Sequence, residues 1–201
     1  MLPKFLWATE NIEGLTMALP DSSPRKHVHT RAIDYRGYQR QDGLWDIEAH
    51  MTDTKTYEIK NNWRGKMKAG ESLHEMFLRI TIDDDFVIKD VIAITEHSPF
   101  EICPNIASAY KSLVGIQMGP GWRKAIRLKV GGIQGCTHLT ELLFPMATVA
   151  MQTIWPLRKK NTNALESEPK KRPTIIDTCH AWASDSSVVR ENAPEYYNGT
   201  D

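Results

Sequence analysis

Cysteine is scarce in this chain of 201 residues: there are three, and none forms a Cys-x-x-Cys pair. An odd count argues against the disulfide framework of a small secreted protein, so the thiols are expected to be reduced unless they hold a metal. Long hydrophobic runs are missing too. Nothing approaches the ~20 apolar residues that cross a bilayer, and the opening Met-Leu-Pro-Lys-Phe-Leu-Trp-Ala-Thr-Glu is too briefly apolar for a signal sequence. A cytoplasmic protein without a membrane partner is expected. Excess charge of one sign is absent, with Lys+Arg and Asp+Glu at 25 each, so no overall field draws the chain to nucleic acid. A glycine-rich nucleotide loop, a cofactor motif and internal repeats are lacking as well.

What is present suffices for one domain with tails, since 41% of the residues are hydrophobic. Residues 1–24 mix Pro, Ser and Gly without a sustained period and read as a leader. Residues 25–157 form the expected main domain. Residues 158–173, charged and punctuated by Pro, read as a solvated linker. Residues 174–201 regain β character in Thr174-Ile175-Ile176 and Ser187-Val188-Val189, which predicts a short C-terminal hairpin packed on the main domain.

The main domain divides by period. Runs at 27–38 and 44–59 flank Gln41-Asp42-Gly43, a hairpin signal. In the second run Trp45, Ile47, Ala49 and Met51 alternate with Asp46, Glu48 and His50, so one face is apolar and the other ionisable. After a Gly/Lys/Asn-rich link at 61–70, Met76, Leu78, Ile80 and Ile82 share a face. Phe86, Ile88, Ile92 and Ile94 follow the acidic turn Asp83-Asp84-Asp85, which reads as a solvated tip rather than a metal site. The helical half then predicts one helix from Pro104 to Val114, a second from Trp122 closed by Gly131-Gly132, and a long third. In the third, Leu139, Leu142, Leu143, Met146, Val149, Ala150 and Ile154 recur at helical spacing, with a kink at Pro145. The fold class expected is α+β: a four-stranded antiparallel meander with about three helices on one face.

Two constellations could carry chemistry. The first is sulfur and imidazole: Cys103, Cys136, His138 and Cys179 are candidate ligands for zinc or iron, with His180 or Asp46 in reserve. Isolated cysteines also serve as small buried hydrophobes, so both readings stay open. Cys136 next to His138 could equally pair as nucleophile and base, provided Cys136 caps the helix. The second constellation needs no metal. His27 and His29 could meet Asp46, Glu48 and His50 across the first hairpin as an acid–base set, or the same face could simply be solvated. Trp45, Tyr35, Tyr57 and Trp122 are the candidate lining for a ring-shaped substrate. Lys55 or Arg31 would steady an oxyanion.

The segments Asp42-Gly43-Leu44-Trp45-Asp46-Ile47-Glu48, Asp53-Thr54-Lys55, Ile102-Cys103-Pro104, Gly135-Cys136-Thr137-His138-Leu139 and Asp177-Thr178-Cys179-His180-Ala181 resemble a bacterial domain family of unknown function. The resemblance spans roughly residues 25 to 197, a length fit for one domain, and implies no activity. The order of meander, Cys103 and the Cys136–His138 helix start also looks like the iron–sulfur-cluster scaffold proteins. That likeness implies Cys103, Cys136, His138 and Asp46 around a metal, although the scaffold's early cysteine is missing here and its late His-Cys pair is reversed.

The expected function is a small enzyme acting on a compact, aromatic molecule by acid–base chemistry of lyase type, retro-aldol cleavage or elimination. Asp46 or His50 would take the proton, Lys55 or Arg31 would hold the oxyanion, and Cys136 with His138 would complete the pocket. The rival is a metal-binding or iron–sulfur-handling protein without turnover. The partner expected is the small-molecule substrate, and a homodimer is an allowed assembly.

Overall fold

A computed structural model describes residues 21–161, 172–173 and 175–200. Six strands come first: β1 (His29–Gln39), β2 (Trp45–Lys55), β3 (Ile59–Asn61), β4 (Gly65–Met67), β5 (Ser72–Ile82) and β6 (Ile88–His97). A 3-10 helix (Cys103–Leu113), α1 (Trp122–Val130), a 3-10 turn (Gly132–Gln134) and α2 (Thr137–Asn161) follow. The main sheet is antiparallel in the order β1-β2-β5-β6, the expected meander. The link at 61–70 is not irregular, however. Asn61 accepts hydrogen bonds from the amides of Trp63 and Arg64, and β3 and β4 close on this turn as a separate two-stranded hairpin.

Alternation decides which face is covered. Trp45, Ile47, Ala49 and Met51 of β2 are buried, as are Met76, Leu78, Ile80 and Ile82 of β5, because side chains two apart point the same way. Tyr110 and Leu113 of the 3-10 helix, Trp122, Ile126 and Val130 of α1, and Leu139, Leu142, Leu143, Met146, Ala150 and Ile154 of α2 join them in one core. All three helices therefore cover one face of the sheet, as the α+β expectation required. Gly37 lets α2 approach the edge strand, since a Cβ there would lie 1.9 Å from the Thr153 hydroxyl oxygen. Helix α2 passes through both Pro145 and Pro156 and runs to Asn161, so it enters the expected linker instead of ending before it.

The chain divides into two compact units, 1–156 and 157–201. In the second, the expected C-terminal hairpin is replaced by helix. Thr174 lies outside the described residues, Ile175 and Ile176 lie in a turn, and Ser187–Asn192 forms α3. The Ser186 hydroxyl accepts from the Val189 amide at 3.2 Å, an N-cap that overrides the weak β preference of Val188 and Val189. Ile176, Val189 and Ala193 make a small core with Trp182, Tyr196 and Tyr197. Residues 1–20 of the expected leader and most of the expected linker lie outside the described residues.

Candidate functional site

The apolar rows of the sheet end in a polar one. Ile33, Met51 and Met76 are cross-strand neighbours, and the next row on the same face is Arg31, Asp53 and His74. A register shift follows directly after Asp53, the kind of irregularity that re-aims side chains. The Asp53 side chain is only 3% exposed. Arg31 grips it in two places, Nε donating to Oδ1 at 2.9 Å and Nη2 to Oδ2 at 2.8 Å. His29 Nε2 lies 3.0 Å from Oδ1, and His74 Nδ1 lies 3.0 Å from Oδ2.

Helix α2 closes the cluster from above. Its first hydrogen bond runs from the Thr140 amide to the Cys136 carbonyl at 2.8 Å, so Cys136 sits at the helix cap. The buried Tyr110 hydroxyl accepts from the Cys136 amide at 3.0 Å and stands 2.9 Å from its carbonyl, pinning that cap. Gly135 makes the approach possible, because a Cβ would lie 2.1 Å from the Val130 carbonyl oxygen. From this cap His138 reaches down until Nε2 is 3.9 Å from Asp53 Oδ2. Its ring centroid is 3.9 Å from that of His74, tilted by 33°. Cys136 Sγ lies 3.8 Å from His138 Nδ1, and Glu141 accepts from Arg31 Nη1 at 2.9 Å.

The electrostatics follow from depth. Burial opposes ionisation of Asp53, but hydrogen bonds from Arg31 and His29 outweigh it and hold the carboxyl well below the usual range. His74 is pushed down by burial and then by His138, and His138 by burial and then by Arg31. The result is one ionised carboxylate beside two imidazoles kept neutral.

Of the residues singled out from the sequence, Arg31, Cys136 and His138 meet here, and Lys55 stands opposite His29 in the register. The others lie elsewhere. Asp46 and His50 project from the opposite face of β2, where Thr81 and Arg40 bind Asp46 and where His50 stacks on Phe77. The expected meeting of His29 with Asp46, Glu48 and His50 fails for the same reason: His29 belongs with Asp53 on the covered face. Trp45 and Trp122 are core residues whose indole N–H groups donate to Asp84 and to the Leu143 carbonyl. Tyr35 ties β1 to α2 through the Leu142 carbonyl, and burial pushes its phenol up to about 12. Tyr57 is exposed in the loop after β2.

Within the first unit, Cys103 does not join Cys136 and His138 in the expected cysteine–histidine metal set. Cys103 opens the 3-10 helix, about 14 Å along the axis from Tyr110 at ~2 Å per residue, whereas the Tyr110 hydroxyl marks Cys136. Cys179 is exposed in the second unit. Among the described residues one set of three ligand-type side chains brings a ligand atom from each within 4.8 Å of the others, and it is Asp53, His74 and His138. The iron–sulfur arrangement around Asp46 and Cys103 is therefore not formed. Asp53 and His74 escape the sequence reading as site residues, yet each carries a signal: they extend, by one alternation, the apolar stripes Trp45–Met51 and Met76–Ile82, whereas His29 is singled out with the wrong partners.

Fold and site together define a one-sided α+β sheet protein with a buried carboxylate–imidazole cluster where β1, β2 and β5 meet the start of its longest helix. The chain belongs to the family described as "Protein of unknown function (DUF2889)", whose model matches residues 29–152. That match is narrower than the resemblance suggested and leaves the second unit outside. It contains every member of the cluster. No curated protein and no solved structure matches the chain.

Proposed function

We propose that the chain is an enzyme that acts on a compact organic molecule by acid–base chemistry at the His29–Asp53–His74–His138 cluster, with retro-aldol cleavage or elimination as the reaction class. The observation that carries this reading is one buried carboxylate with an imidazole 3.0 Å from each of its oxygens. By binding Nε2 of His29, Asp53 orients the ring and leaves its other nitrogen to take a proton from a substrate hydroxyl or C–H. The His29 side chain is 37% exposed, so a substrate can reach the ring while the carboxylate behind it stays dry. Arg31 is a positioning residue: its guanidinium is engaged by Asp53 and Glu141 and keeps Asp53 ionised. Trp45 and Trp122 serve the core, so aromaticity is not part of the proposed substrate class.

The test is turnover of a panel of β-hydroxy and β-substituted carbonyl compounds by the purified chain, followed by NMR. His29→Gln is expected to lose about 100-fold or more in kcat, the ordinary contribution of a positioned base. His50→Gln, on the other face, should match the wild type. Turnover that survives both His29→Gln and His138→Gln unchanged overturns the reading.

A further inference from the structure

We propose that Asp53 Oδ2, His74 Nδ1 and His138 Nε2 form a binding site for one borderline divalent transition ion of the zinc or iron(II) class. The inference deepens the enzymatic reading of the same cluster and rests on it only for the ion's use, not for its binding.

The three ligands come from three elements, β2, β5 and the start of α2, and one ligand atom from each residue lies within 4.8 Å of those of the other two. Ligands about 2.0–2.1 Å from a tetrahedral zinc stand about 3.3 Å apart. The separations from Asp53 Oδ2 to His74 Nδ1 and to His138 Nε2 are 3.0 and 3.9 Å, which bracket that value. The second is too long for a hydrogen bond, so His138 faces the carboxylate across a gap. Two imidazole rings 3.9 Å apart and a carboxylate make the donor set of two nitrogens and one oxygen that leaves coordination positions open for water or substrate.

Binding requires little rearrangement. His74 donates through Nδ1 to Asp53 in the metal-free state, and moving its proton to Nε2 frees Nδ1 as a ligand without changing charge. The Asp53 oxygen then exchanges the His74 hydrogen bond for the ion while keeping Arg31 and, on its other oxygen, His29. Such outer contacts orient ligating carboxylates. Arg31 is a nearby positive charge, but Glu141 pairs with it at 2.9 Å, and Arg31, Asp53 and Glu141 together carry one net negative charge. In this arrangement the ion polarises the substrate oxygen or its bound water, and His29 stands beside it as base.

The experiment uses the full chain, purified without added metal, treated with a chelator and titrated with Zn2+ by calorimetry. Long-range 1H–15N spectra of the histidine rings are recorded at each point. One equivalent per chain is expected, with shifts at His74 Nδ1 and His138 Nε2 and none at His50 or His97. His138→Gln, at a part-exposed helix start where folding survives, should weaken Zn2+ at least about 100-fold. Asp53→Asn should do the same where circular dichroism confirms its fold, and Cys103→Ser should bind as the wild type does. Absence of a stoichiometric site, or Zn2+ affinity unchanged in His138→Gln, overturns the proposal. If turnover still falls on His29→Gln in that case, the acid–base reading stands without the ion. Zn2+ bound at these nitrogens with turnover indifferent to both His29→Gln and His138→Gln supports the metal site and removes the acid–base reading instead.

Discussion

Two carboxylates on this sheet each hold two imidazoles, and they stand back to back. Asp53 holds His29 and His74 beneath the helices. Glu75, the residue after His74, holds His50 at 3.1 Å and His97 at 3.0 Å on the opposite face. The ingredients match, but the depth does not: side-chain exposure is 3% for Asp53 and 22% for Glu75, and about 40% for the outer imidazoles. Beneath the helices the cluster also gains a guanidinium and a third imidazole. Charges interact several-fold more strongly where water is excluded, so the contacts of the inner set are the stronger ones and solvent weakens those of the outer set. Composition nominates both; burial selects one.

The largest expected difference is in stability. Asp53→Ala leaves Arg31 without the carboxylate it grips twice, and breaking a buried pair costs ~3–5 kcal/mol. Because Arg31 is 33% exposed and keeps Glu141, about 3 kcal/mol is expected. Glu75→Ala should cost under ~1 kcal/mol, as exposed pairs do. Urea unfolding of the two variants measures both numbers. Equal costs would break the contrast between the faces.

A smaller effect is expected in the pH dependence of the chelator-treated protein. His74 is pushed below its ordinary value by burial and by the facing His138, with Arg31 adding to this and Asp53 opposing it. The unfolded chain therefore takes up protons first as pH falls through about 6.5, and stability declines as the solution is acidified. Asp53, also depressed, adds a second loss below about pH 4, where the unfolded carboxyl protonates before the folded one. Urea midpoints between pH 7.5 and 5 should fall more steeply for wild type than for His74→Gln. Parallel slopes would mean that His74 is not held neutral by its surroundings.

Much of this architecture is legible in alternation alone. The stripes Trp45–Met51 and Met76–Ile82 define the covered face, and Leu139–Ile154 defines the helix that lies on it. The site is legible only in part: Cys136 and His138 point to it, but the ionisable stripe Asp46–Glu48–His50 points at the solvated side. Asp53 and His74 are informative because they interrupt a core pattern without leaving its face, whereas Asp46 follows the rule that polar residues face water. What one strand's sequence does not contain is register. That Arg31, Asp53 and His74 share a row depends on two hairpins, one of them enclosing β3 and β4, and that His138 joins them depends on Gly135 letting α2 begin beside Val130. The C-terminal misreading has another source: Val188-Val189 favours a strand only weakly, and one hydroxyl, from Ser186, redirects it.

The smallest expected effect tests whether the outer set is more than a solvated pairing. His50 lies flat on Phe77, ring centroids 4.2 Å apart and planes 2° from parallel, over a groove of about 310 Å3 that Asp34, Arg36, Arg79, Ile92 and Ile94 also line. Stacked pairs contribute ~0.5–1.5 kcal/mol beyond their buried area, and with both rings partly in water the lower end applies. A double-mutant cycle of His50→Ala and Phe77→Ala should give a coupling of about 0.5 kcal/mol, insensitive to Zn2+ because no ligand of the inner site is touched. A coupling above ~1.5 kcal/mol, or one that changes when Zn2+ is added, would mean that the two faces communicate through β5, where His74 and Glu75 are adjacent. In that event the inner cluster could no longer be treated as a site independent of the sheet's other side.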